Sequence, residues 1–178
     1  MKVLIITGSP HKHGTSAHLV EQFKKGAMEA GNDIFVFESA FKKVHPCIAC
    51  DKCIAERRCT FKDDMDILNP KLLEADIVVF AYPIYYYNIN AQLKTVIDRF
   101  YATNSKLMQT HKKVYIISAM EDDTMESADG ANVAFKGMCK YLGWDLTYCL
   151  NAMNVLTAED LKNTTYLDDA YNLGKSIK

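Results

Sequence analysis

Short, continuous apolar runs recur along the chain at Val3 to Thr7, Ile34 to Phe37, Ile77 to Tyr82 and Val114 to Ala119. Runs of this length that do not alternate predict strands buried on both faces, as in a parallel sheet. A fifth run, Trp144 to Leu150, alternates apolar with polar residues and predicts a half-exposed edge strand. Between the runs the period lengthens. Ile89, Leu93, Val96, Ile97, Phe100 and Tyr101 follow steps of three and four along one stripe, which predicts a helix. Leu19, Val20, Phe23 and Ala27 form a second stripe that ends near Gly31-Asn32, and Val133 to Leu142 a third, closed by Gly143. Asp63 to Ala75 opens with acids suited to a helix amino end, and Pro70 predicts a break or a second short helix within it. Thr157-Ala158-Glu159-Asp160 predicts the opening of a final helix.

Strand and helix thus alternate, and right-handed crossovers turn that alternation into an α/β fold with helices on both faces of a doubly wound parallel sheet. Five strands suit the order 2-1-3-4-5, whose switch point lies between strands 1 and 3. Ligands in such sheets bind beyond the carboxyl ends of the strands at that point, which directs attention to the loops after Thr7, Tyr82 and Ala119. A length of 178 residues predicts one domain, 1–178. Lysines and arginines number 21 against 22 acids, so no net field draws the surface to nucleic acid or to an anionic membrane. No apolar stretch approaches the roughly 20 residues of a membrane span. Met1 to Ile6 is too short for a signal-peptide core. The expectation is a cytoplasmic protein whose partners are small molecules.

Strand 1 runs into Gly8-Ser9-Pro10-His11-Lys12-His13-Gly14-Thr15-Ser16. Small residues beside the free amides of a helix amino end suit an anion, and the hydroxyls of Ser9, Thr15 and Ser16 suit a phosphate. The loop lacks both the lysine-threonine pair of a nucleotide-hydrolysing P-loop and a dinucleotide fingerprint, so a terminal monophosphate such as that of FMN fits better. A plain helix cap at Thr15 or Ser16 reads equally well from this loop alone. After strand 3, Tyr85, Tyr86 and Tyr87 offer flat apolar faces for a planar ring, or a patch for a second subunit. Cys47, Cys50, Cys53 and Cys59 are spaced C-x2-C-x2-C-x5-C, close to ferredoxin ligation, which makes a [4Fe-4S] cluster one reading and a reduced thiol loop the other. Cys139 and Cys149 read as core thiols.

The combination of Gly8-Ser9-Pro10 and Gly14-Thr15-Ser16, the four spaced cysteines with Lys62-Asp63-Asp64-Met65, Pro83-Ile84-Tyr85, Leu93-Lys94 and Ile97-Asp98-Arg99 resembles the flavodoxin-like NADPH-dependent FMN reductase family, close to its iron-sulfur flavoprotein branch. The resemblance implies that Ser9, His11, Gly14, Thr15 and Ser16 hold the FMN phosphate. It also implies that Pro83, Ile84, Tyr85 and Tyr86 carry the ring and that Ser118, Ala119 and Met120 flank its other side. The family usually has arginine where His11 stands, and its loop after strand 4 is less acidic than Glu121-Asp122-Asp123. The implied activity is an oxidoreductase that passes hydride or electrons from NADH or NADPH through FMN to an acceptor, with no catalytic side chain required. An iron-sulfur electron carrier serving a redox protein without a nicotinamide site is the alternative. The resemblance also implies a homodimer or homotetramer, and the acidic loop leaves two readings: NADH is used at least as well as NADPH, or the acids point into water or meet basic groups of a second subunit and leave the choice of reductant unmarked.

Overall fold

Along each central strand alternate residues enter two separate cores. Val3, Ile5, Ile77, Val79, Ala81, Tyr115 and Ile117 face one side, and Leu4, Ile6, Val78, Phe80, Tyr82, Val114 and Ile116 face the other. Burial on both faces is why these runs carry no polar alternation. The computed structural model describes residues 1–178. Its elements are β1 (Lys2–Thr7), α1 (Thr15–Glu29), β2 (Asp33–Glu38), α2 (Lys52–Glu56), α3 (Met65–Glu74), β3 (Ile77–Tyr85), β4 (Asn88–Ile89), α4 (Ala91–Asp98), α5 (Asn104–Leu107), β5 (Lys113–Ala119), α6 (Glu126–Leu142), β6 (Asp145–Ala152) and α7 (Tyr166–Lys175).

The sheet order is β2-β1-β3-β5-β6, all parallel, and it reproduces the expected doubly wound, flavodoxin-like topology. β4 is an addition: it folds back on β3 as a short antiparallel pair, Ile84 opposite Ile89 and Tyr85 opposite Asn88. α1 and α7 cover one face. Their backbones touch at Gly26 and Gly174, where any Cβ would strike Tyr171 or Phe23 carbonyl oxygen. α3, α4 and α6 cover the other face through Leu68, Leu72, Leu93, Val96, Phe135 and Cys139.

Three local expectations change. The stripe from Ile89 to Tyr101 is not one helix: Ile89 belongs to β4, α4 spans Ala91–Asp98, and a 3-10 turn runs from Arg99 to Thr103. The period survives because Ile89, Leu93, Val96, Ile97 and Phe100 still reach one core, while Tyr101 is 48% exposed. Pro70 lies inside a continuous α3, held by fully buried Leu68 and Leu72 on either side of it, so burial overrides the lost backbone bond. Thr157 opens a 3-10 turn rather than a helix. Its amide and hydroxyl both donate to the Asp160 carboxylate, at 2.7 and 3.0 Å, and α7 begins only at Tyr166. No helix is long and apolar enough to cross a membrane.

Candidate functional site

Thr7 ends β1 between β2 and β3, where the direction of sheet winding reverses. Loops there leave the sheet on opposite faces and open a crevice. A cavity of about 770 Å³ fills it, bordered by Ser9 to Ser16 after β1, Pro83 to Tyr85 at the end of β3, Ala119 to Glu121 after β5, and Val155 to Ala158 after β6. Cavities of roughly 300–1,000 Å³ are usual for small-molecule and cofactor sites.

At the β1 end the backbone leaves several amide donors without a partner in the chain. Gly8 N–H donates to Ala81 O, Gly14 N–H to His11 O, and His11 N–H to Ser9 Oγ. The amides of Ser9, Lys12, His13, Thr15 and Ser16 donate to no group of the chain. Thr15 and Ser16 open α1, where such orphan donors and the helix dipole together favour negative charge. The neighbouring hydroxyls differ in their freedom. Ser9 Oγ is engaged with the His11 backbone, Thr15 Oγ1 lies 3.4 Å from Leu156 O, and Ser16 Oγ has no partner in the chain. Lys12 adds a cation, its ammonium 5.0 Å from the Phe41 ring centroid.

The other end is flatter and more apolar. Pro83, Ile84 and Tyr85 face Ala119 and Met120 across it. Tyr86 and Tyr87 turn away: they form the two-residue link between β3 and β4 with φ of 47° and 62°, a left-handed pair that glycine and asparagine usually supply. That turn leaves Tyr86 99% exposed, against an adjoining 380 Å³ hollow that Tyr85, Met120 and Glu121 share. Ser118 is fully buried, and its hydroxyl donates to Asn151 Oδ1 at 2.6 Å, tying β5 to β6. All the other residues expected around a cofactor border the main cavity.

Sequence reasoning missed Lys12, His13 and the segment from Val155 to Ala158. The first two lie inside the loop it identified, whereas the last carries no motif and arrives only because β6 ends beside β5. The acidic loop is less free than its composition suggests. Asp122 accepts from the Ser127 hydroxyl and the Thr124 amide, which hold its carboxyl below the usual carboxylate range. Glu121 alone of the three borders the cavity.

All four spaced cysteines line a second, much smaller cavity of about 20 Å³, together with Arg99, Asp98 and Tyr101. Around them Ala49, Asp51 and Arg57 adopt left-handed backbone, with φ of 52°, 53° and 55°. One buried ion pair anchors the loop: Arg99 Nη1 donates to Asp63 Oδ2 at 2.7 Å and to His45 O at 2.7 Å. Burial pushes the Asp63 carboxyl up, but hydrogen bonds from Arg99 and from the His45 and Met65 amides outweigh it and hold the group below its ordinary value. Burial raises the Cys53 thiol, aided by Cys59, Asp51 and Cys47 against a backbone hydrogen bond. No three His, Cys, Asp or Glu side chains converge closely enough to hold one metal ion. Cys139 is a core thiol as expected, pushed up to about 12 by burial, and Cys149 is raised for the same reason.

Residues 1–135 match the family model described as NADPH-dependent FMN reductase. The chain belongs to this family. Over 99 residues it is 37% identical to an iron-sulfur flavoprotein of Archaeoglobus fulgidus, a match covering 56% of this chain and 45% of that protein. The chain spans about half the length of the iron-sulfur flavoproteins it matches. Among solved structures, azoreductase AzrA superposes with a TM-score of 0.78 at 17% identity, covering 99% of this chain and 100% of the other. The NAD(P)H:quinone oxidoreductase of Methanothermobacter marburgensis gives 0.74 at 17%, covering 100% and 99%. At such identities the two superpositions describe the fold.

Proposed function

We propose that residues 1–178 form one FMN-binding domain that works as an NAD(P)H-dependent flavin oxidoreductase. The observation that carries this reading is the set of unpartnered amides at Ser9, Lys12, His13, Thr15 and Ser16, opening into a cavity whose far end is bounded by Pro83, Ile84, Tyr85, Ala119 and Met120. A phosphate satisfies such donors, and a planar ring suits the flat end. Bound FMN would supply two-electron chemistry, accepting hydride from NADH or NADPH and returning the electron pair to a small-molecule acceptor of the quinone type. The chain's own part is to bind and orient: amides and Lys12 at the phosphate, with Ile84, Tyr85 and Met120 excluding water beside the ring. No acid or base side chain is assigned, because hydride transfer requires none. Tyr86, exposed beside the same opening, is the natural contact for a second subunit in a homodimer or homotetramer.

The test is spectroscopic. Protein loaded with FMN should lose its visible flavin absorbance when NADH or NADPH is added without oxygen, and regain it when a quinone is added. Absorbance that no reduced nicotinamide bleaches overturns the oxidoreductase reading.

A second reading concerns the cysteine loop. Four thiols facing one cavity without closing on a single ion suit a [4Fe-4S] cluster better than zinc, whose short bonds of ~2.3 Å draw its ligands together. The donors fit in number and kind, but a cavity of about 20 Å³ requires the loop to widen. Protein reconstituted with iron and sulfide without oxygen should hold about four irons per chain, and Cys50→Ser should hold fewer. Parent protein that holds none returns these residues to a thiol loop.

A further inference from the structure

Asn90 occupies the amino end of α4, a position where asparagine usually accepts a hydrogen bond from a helix amide. It makes no such cap, although its backbone carbonyl accepts from Lys94 N–H at 3.0 Å. Instead the side chain, 1% exposed, reaches back 82 residues to the loop after β1. Its Nδ2 donates to Gly8 O at 2.6 Å and to Gln92 Oε1 at 2.7 Å. A carbonyl only accepts, so the nitrogen of the Asn90 amide must be the atom that faces Gly8. The choice leaves Oδ1 buried without a partner.

Gly8 is thereby held from both sides, since its own N–H donates to Ala81 O at 2.8 Å. The peptide between Gly8 and Ser9 is trans, so its carbonyl and its N–H point in opposite directions. With the carbonyl fixed on Asn90, the Ser9 N–H is turned the other way, among the unpartnered amides of the loop. Glycine is required for the contact, because a Cβ at position 8 would meet Asn90 Oδ1 and lie 2.8 Å from Leu93 Cβ. Asn90 also directly follows β4, so the same side chain joins the amide loop to the hairpin bordering the ring end.

From this geometry we infer that Asn90 is a positioning residue for phosphate binding, setting the Ser9 amide through the Gly8 carbonyl. The inference rests on the FMN reading above. Its test compares the Kd values of FMN and riboflavin, by flavin fluorescence quenching, in the parent protein, Asn90→Leu and Asn90→Ser. Leucine keeps the buried volume and removes the donor. Serine suits a helix amino end but is too short to reach Gly8, and it carries the test if the leucine variant does not fold. In the variants FMN affinity should fall about tenfold or more while riboflavin, which lacks the phosphate, changes less than about threefold. Equal losses for both ligands, or no loss, overturn the assignment of Asn90 alone when the parent prefers FMN. A parent that binds riboflavin as tightly as FMN overturns the phosphate reading and this inference with it.

Discussion

The loops after β1 and after β2 both carry unusual backbone, and they use it differently. After β1 the chain leaves amides unpaired around a cavity of about 770 Å³, with Gly8 and Gly14 providing the close approaches. After β2 three non-glycine residues are forced into left-handed conformation around a space of about 20 Å³. The first space is open, whereas the second is nearly filled and its loop is held by the pair Arg99–Asp63, 2% and 3% exposed. Two loops at one end of one sheet can therefore differ in readiness: pre-formed donors need no rearrangement, but the thiol loop must move before it can take anything larger than a water.

The largest effect should come from breaking the anchor of the closed loop. Arg99→Met leaves the Asp63 carboxylate buried without its partner, and urea denaturation should show a loss of about 3–5 kcal/mol. The sign of the pH dependence follows. Asp63 is held below its ordinary 3.8, so its contribution is complete above that value and is lost as pH falls through the lower folded value. Parent and variant should converge in stability as the medium is acidified below about pH 4. A variant within 1 kcal/mol of the parent at neutral pH contradicts the anchoring role.

Gly8→Ala probes the open loop. The added methyl meets Asn90 and Leu93, a degree of overpacking that costs about 1–3 kcal/mol, and it should weaken FMN more than riboflavin. Unchanged stability shows that the contact gives way. Cys50→Ser should leave FMN affinity within about twofold, since exposed Cys50 borders only the small cavity. A larger loss joins the two sites that the comparison separates.

These contrasts were unevenly legible in the sequence. Buried strands advertise themselves as continuous apolar runs, so the sheet order and the switch point followed, and with them the loops worth examining. The loop that borders the large cavity was visible because glycine and hydroxyl residues cluster locally between Gly8 and Ser16. Features made by distant pairing left no such trace. Arg99 falls between Ile97 and Phe100 of the apolar stripe, yet it turns inward to Asp63, and nothing local at Asn90 shows that its side chain reaches Gly8. The triple tyrosine suggested one aromatic wall, but the left-handed turn at Tyr86 and Tyr87 divides it between cavity and solvent. Likewise the acidic run after β5 gave composition without direction.

That last case yields the smallest expected effect. With the Asp122 carboxylate committed to Ser127 and Thr124, Asp122→Asn with Asp123→Asn should shift the NADH-to-NADPH preference by less than about twofold. Glu121→Gln, altering the carboxylate that borders the cavity, should shift it further towards NADPH by removing one repulsive charge. The expected preference for NADH then depends on Glu121, and steady-state kinetics with both nucleotides separates the cases. A larger shift in the double variant restores the aspartates as the selecting groups.

The most direct test of the open site is a fluorescence titration of the parent protein with FMN and riboflavin in parallel. Saturable quenching at micromolar FMN, with riboflavin at least about tenfold weaker, is the result expected of an amide loop built for phosphate. Absence of saturable FMN binding, or equal affinity for the two flavins, would contradict it.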